Sequence, residues 1–151
     1  MGVPRVITQE RIILTGNATQ SNDGGTIVDA IIYQSNGGVL PHVVWKLADD
    51  VHITGFTVAM TDASATNLSF DICLGTDANY IARAMVVQSS TKVTLTPATA
   101  HAPAVGTVSL GSALSVSAGT LIGIVITNGA STVGNGGHGL SVTLEARRRV
   151  T

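Results

Sequence analysis

The sequence predicts an all-β chain: a single antiparallel β-sandwich or jelly roll with an N-terminal arm or hairpin region. Three observations predict it. Period-two alternation of apolar and polar residues recurs along the chain, most cleanly at Leu68-Ser69-Phe70-Asp71-Ile72-Cys73-Leu74. Clusters of Gly, Asn and Pro, which suit turns, separate the short apolar runs. Helical periodicity is weak almost everywhere, and many short strands with such turns indicate a two-layer β architecture.

Taken in order, Thr26 to Tyr33 and Val39 to Leu47 are the first strand candidates. Pro41 lacks the N–H that a ladder needs, so it puts the second at an edge or a bulge. Phe56-Thr57-Val58-Ala59-Met60 alternates, whereas Val51 and Ile53 are out of phase with it. Gly55 sits at the phase change and predicts a β-bulge. Leu68 to Leu74 reads as a half-buried strand, with Asp71 and Cys73 on its outward face. Asp77 to Gln88 is ambiguous, because Ala78, Ile81, Ala82, Met85 and Val86 fall at helical spacing. Pro97 and Pro103 mark a loop. Thr120 to Thr127 is a continuous apolar run rich in β-branched residues, the pattern of a central strand buried on both faces. Leu140 to Leu144 alternates again. Turns are expected at Asn22 to Gly25, Ser35 to Gly38, Asn128-Gly129 and Gly134 to Gly139.

The chain has 151 residues, enough for one domain with a core of its own. Residues 1–50, an arm or the first strands of the same domain, carry Glu10, Arg11, Asp23, Asp29, Lys46, Asp49 and Asp50. Residues 51–151 are read as the sandwich core and a C-terminal tail. No linker composition separates the two parts.

Charge is the unusual feature. Only 11% of residues are charged, against about 25% in a typical soluble domain. No charged residue occurs from Val93 to Leu144, the net charge is -1 and mean hydropathy is +0.39. Such a surface is either hidden against neighbours in an assembly or a neutral, hydroxyl-rich exterior. The first reading is carried forward, because interfaces lose charge at their centres. The basic footprint of a nucleic-acid binder is absent, and no run reaches the roughly 18 apolar residues of a membrane span. The start, Met-Gly-Val-Pro-Arg-Val, lacks a signal-peptide run, and Val6 breaks the myristoylation pattern, so synthesis in a cytoplasm is expected.

Motifs that carry chemistry are few. Gly134-Asn135-Gly136-Gly137-His138-Gly139 spells G-x-G-x-x-G, but a strand pattern follows it where a phosphate cradle needs a helix. It reads as a hairpin loop. His42, His52, His101 and His138 show no metal-ligand spacing. Asp49-Asp50 suits a turn better than acid-base work. Cys73 is the single cysteine, so no internal disulfide forms, and a lone thiol of this kind reads as packing. No cofactor is expected. Asn17-Ala18-Thr19 and Asn67-Leu68-Ser69 spell glycosylation sequons, which carry no weight without a secretory signal. Trp45, the single tryptophan, is either core or an interface anchor. Arg147-Arg148-Arg149 is either a solvated tail or a clip for a neighbour's carboxylates. Trp45, Arg147, Arg148 and Arg149 are therefore the candidate partner contacts.

The rhythm Ile53-Thr54-Gly55-Phe56, Leu68 to Ile72, Leu74-Gly75-Thr76-Asp77 resembles the jelly-roll virion proteins of tailed bacteriophages. Val108-Ser109-Leu110, Leu114 to Thr120 and Gly139 to Leu144 resemble the closing half of such modules. The likeness spans Val51 to Leu144 and is one of strands and glycines, with no fixed binding motif. It implies a capsid decoration (cement) protein, head fibre or tail-tip module. Such a module is often trimeric, is bound to the major capsid protein or other virion subunits, and has no cofactor, nucleic-acid or membrane partner. The expected place is the exterior of a phage particle, after synthesis in the host cytoplasm. The leading expectation is a non-enzymatic decoration protein on the outer face of a head. The alternative is a tail-fibre or receptor-binding module for a host glycan or protein. An enzyme such as a glycan hydrolase would need two carboxylates about 5–9 Å apart in a cleft, and the neutral half offers few acids.

Overall fold

A computed structural model describes residues 8–18, 21–23, 26–28, 39, 41, 43–63, 68–99, 102–128 and 138–150. The chain runs through β1 (Thr8–Ala18), β2 (Ser21–Asp23), β3 (Thr26–Val28), β4 (Val43–Lys46), β5 (Val51–Asp62) and β6 (Leu68–Gly75). It continues with the short helix α1 (Asp77–Ile81), then β7 (Val86–Leu95), β8 (Ala104–Val116), β9 (Leu121–Asn128) and β10 (His138–Val150).

Two four-stranded sheets pack face to face, one in the order β1-β10-β5-β8 and the other β4-β9-β6-β7, with β2 and β3 forming a separate hairpin. Every ladder is antiparallel. The first sandwich strand pairs the last (β1 with β10), the second pairs the second-last (β4 with β9), then β5 pairs β8 and β6 pairs β7. That is one long antiparallel ribbon wound up on itself, the jelly roll. The predicted fold class is thus observed, and it follows from strand order alone.

The core is the layer between the sheets. Phe56, Val58 and Met60 of β5 meet Leu68, Phe70 and Ile72 of β6, with Ile122, Ile124, Leu140, Val142 and Leu144 completing the layer. The alternation read in the sequence places these side chains inward. The predicted bulge is present. Ile53 pairs Ala146 and Gly55 pairs Glu145, so Thr54 is the extra residue that resets the phase. A side chain at Gly55 would collide with the Val108 carbonyl, which explains the glycine. The apolar run read as a doubly buried strand is β9, buried from Leu121 to Val125.

Three expectations need correction. β6 is not half-buried: Ser69, Asp71 and Cys73, read as outward, are 4%, 1% and 0% exposed. The sequence cannot show what covers them, because the cover is non-local. Pro41 lies against Gly123 beside Cys73, and Met85, Leu121, Val125, Val39, Tyr80 and Val87 close over the thiol. Second, Arg147 to Arg149 are not a tail. β10 runs on to Val150, with Arg147 opposite Arg11, Arg148 opposite Glu10 and Arg149 opposite Gln9. The apolar alternation stops at Ala146, but backbone pairing with β1 carries the strand further. Third, the segment from Asp77 to Gln88, read as ambiguous, is helical only at its start, and of the residues at helical spacing Met85 alone is buried. Only Asp77–Ile81 is helical, started by Thr76 and Asn79 in a capping box. Ile81 is 81% exposed, and Val86 already belongs to β7.

Of the first two strand candidates, residues 29–33 lie outside the described residues, and the second is a strand over only part of the span read. Thr26–Val28 forms β3, and Val43–Lys46 forms β4 with Pro41 ahead of it. The expected turn at Ser35 to Gly38, the loop from Gly134 to Gly137, and His42 and His101 lie outside the described residues.

Candidate functional site

The outer face of the β1-β10-β5-β8 sheet is built from the outward residues of four strands, and register brings them into ranks. Thr15 pairs Thr143, Thr143 pairs Thr57, and Thr57 pairs Thr107. A single rank of threonines therefore crosses the whole sheet. Neighbouring strands lie about 4.8 Å apart, so the hydroxyls and methyls are spaced regularly. Thr57 Oγ1 and Thr107 Oγ1 share a hydrogen bond of 2.8 Å. On one side the rank Ile13, Glu145, Gly55, Ser109 runs parallel to it, and on the other Ser141, Ala59 and Val105. Glu145 accepts a hydrogen bond from the Arg11 guanidinium, which neutralises it. Ile13 is 50% and Val105 70% exposed. Beyond Ile13 comes the rank Arg11, Arg147, His52 and Ser115, with His52 Nδ1 2.9 Å from Ser115 Oγ.

No family model and no curated protein matches this chain. Among solved structures, the chain is similar to the globular domain of zebrafish complement 1qA protein. Identity is 10%, the TM-score is 0.47, and the match covers 93% of this chain and 100% of that one. A likeness so distant carries no argument about what the chain does.

Of the residues singled out from the sequence, Trp45 and Arg148 fall at one corner of the sandwich, where β1 and β4 face each other across the two sheets. Trp45 is half-buried there. Its Nε1–H donates to the Thr15 carbonyl at 3.2 Å, and its ring lies against Gly16. Ile12, Leu14, Trp45, Leu47, Ala146 and Arg148 line a cleft of about 290 Å³ at this corner. Arg148 turns inward to close the cleft. Its guanidinium donates to Glu10 Oε2 and to Asp49 Oδ2, both at 2.6 Å. The hydrogen bond to Glu10, then the one to Asp49, raises its already high pKa. Arg147 alternates to the outer face and is exposed, while the Arg149 side chain lies outside the described residues. The structure therefore separates the arginine triplet. Arg148 ties β10 to β1 and to the turn before β5, and Arg147 belongs to the outer face.

No cluster of three His, Cys, Asp or Glu suited to a metal occurs among the described residues. The Cys73 thiol is pushed up to about 12 by burial, against smaller lowering contacts from the backbone. At neutral pH it is a protonated packing group, not a nucleophile. Asp71 is held by Thr127 Oγ1 at 2.5 Å and Lys92 Nζ at 3.3 Å, while its Oδ1 has no hydrogen-bond partner.

Sequence reasoning missed the threonine rank. Thr15, Thr57, Thr107 and Thr143 are each unremarkable within their own strand. The rank exists only once register is known, and register is a long-range property.

Proposed function

We propose that this chain is a non-enzymatic structural module that works by packing its open sheet face against sister or neighbouring subunits, as a homo-oligomer in a larger assembly. Its specific role in this reading is decoration of the outer shell of a phage head, bound to the major capsid protein on the particle's exterior. The observation that carries the reading is the outer face itself. Its centre holds a full rank of threonines, exposed Ile13 and Val105, and a single carboxylate already neutralised by Arg11. Threonine methyls gain from burial, and hydroxyls can re-pair across a contact, so this face loses little on desolvation.

Size refines the reading. Four strands and seven residue rows span about 19 by 20 Å, or about 400 Å². A standard interface buries about 800 Å² per partner. A contact this small holds only as one of several, which favours a trimer or a shell-bound array over a free dimer.

Placing a charge at the centre of the face tests the reading. Sedimentation of the full chain across a concentration series should show an oligomer for the native sequence. Thr57→Lys should be monomeric with an unchanged urea midpoint. Phage heads stripped of the protein should rupture at lower temperature, because a ligand of the assembled state stabilises it by mass action. A native chain that stays monomeric at every concentration, and never co-sediments with particles, removes the proposal.

A further inference from the structure

The opposite corner of the sandwich, where edge strands β7 and β8 meet, has a different construction. In β7, Val93 pairs Phe70 but Gln88 pairs Ile72, so Ser89 to Lys92 bulge out opposite Asp71 alone. In β8, Ser109 pairs Gly55 but Leu114 pairs Ile53, so Leu110 to Ala113 have no partner on β5. These two excursions, one from each sheet, share one groove of about 460 Å³. That volume falls within the range of about 300–1,000 Å³ typical of small-ligand clefts.

The β7 wall is fixed from within. Thr91 is 1% exposed; its hydroxyl accepts from the Ile72 N–H at 2.9 Å and donates to the Gln88 carbonyl at 2.6 Å. A side chain thus supplies the ladder bond that the bulge removes, and the wall is held in one shape without a ligand. Bulges held this way are built features, and a preformed wall lowers the ordering cost of binding. The lining has two characters and no charge. Val108, Leu110 and Leu114 give apolar surface, while Ser90, Ser109 and Ser112 give hydroxyls. The backbone from Leu110 to Ala113 adds N–H and carbonyl groups not paired with β5. Without a cation or carboxylate, the groove offers nothing to a phosphate, a carboxylate or an ammonium group that water does not already provide. Apolar patches beside paired donors and acceptors match a pyranose ring, whose faces are C–H and whose rim is hydroxyl.

We propose that this groove is a binding site for a neutral saccharide of one or two rings. It lies at the corner away from Trp45 and meets the packing face at Ser109, which lines both.

The test uses the full chain, labelled with nitrogen-15, titrated separately with maltose, cellobiose and N,N′-diacetylchitobiose to concentrations of about 10 mM, enough to detect millimolar affinity. At least one should give saturable amide shifts confined to residues 88–92 and 108–114. Gly111→Trp should weaken that binding at least about tenfold, a loss of about 1.4 kcal/mol. Gly111 is exposed and nothing lies within 4 Å of a Cβ built there, so the variant is expected to keep the fold, and an unchanged spectrum elsewhere verifies it. Three titrations without saturable shifts in the groove overturn the proposal. So do shifts that map elsewhere, or shifts that Gly111→Trp leaves intact.

Discussion

The two outer faces of the sandwich are made of the same kind of strand and meet opposite fates. On the β4-β9-β6-β7 sheet, the outward side chains of β6 are sealed by the chain's own Pro41, Met85 and Val87. On the β1-β10-β5-β8 sheet, the outward threonines pair with one another across the strands, and among the described residues no second layer is packed over them. The first face behaves as a second, smaller core, and even its carboxylate is buried. The second is an open surface of threonine, serine and small apolar side chains. The difference teaches that low charge alone does not mark a binding face. On one side of this molecule it marks an intramolecular cover, and on the other an open surface.

Substitutions should separate the two faces, and the largest effect is expected under the cover. Gly123→Val forces a side chain into Pro41 and toward Cys73 Sγ, which is 3.1 Å from the position of a built Cβ. Overpacking of this kind costs about 3 kcal/mol, seen as a lower urea midpoint. A midpoint within error of the native one would mean the cover is loosely laid.

Asp71→Ala comes next. It leaves Thr127 without its 2.5 Å partner and removes the anchor of Lys92. Losing one partner of a buried hydrogen-bonded group costs about 2 kcal/mol. The same urea titration reads it, and a neutral result would place Asp71 effectively in solvent.

Cys73 gives a smaller effect with a distinctive pH signature. Its pKa is raised from 9.0 to about 12 in the folded chain. The folded state holds the proton more tightly, so the contribution is complete well below pH 9 and is lost as pH rises toward 12. By pH 10 the native protein should have lost about 1.4 kcal/mol relative to neutral pH. Cys73→Ala, whatever its absolute stability, should lack that slope. Parallel slopes in the two proteins would put the thiol in contact with water.

The smallest change belongs to the open face. Thr57→Val keeps the shape and removes one hydroxyl of an exposed pair, so unfolding should shift by less than about 0.5 kcal/mol. A loss as large as that of Asp71→Ala would show that the rank is a folding element, and the contrast between the faces would fail.

How much of this was legible in the sequence depended on whether a strand obeys its own alternation. Phe56 to Met60 and Leu140 to Leu144 do, and they were readable, as was β9 by its continuous apolar run. β1 was not, because Ile13 points outward between inward Ile12 and Leu14 and masks the period. β8 was not, because Val105 is outside while Gly106 is inside. Inverting a pair that way serves packing, since a side chain at Gly106 would press on Val93 Cγ1 at 2.7 Å and Leu95 Cδ2 at 2.8 Å. The candidate contacts at Trp45 and Arg147 to Arg149 were found by residue type. Their separation into an inward Arg148 and an outward Arg147 needed the knowledge that β10 continues beside β1. The paired bulges of β7 and β8 left no sequence mark, because a bulge is a mismatch between two distant segments.

The winding of the ribbon also constrains how the molecule is made. β10 lies between β1 and β5 and pairs with both, yet among the described strands it follows every other in the chain and so leaves the ribosome after them. Until it arrives, the two strands it joins wait as naked edges, and the sheet that carries the threonine rank does not exist. A chain interrupted before β10 therefore holds β1 and β5 apart, and the rank of threonines cannot form.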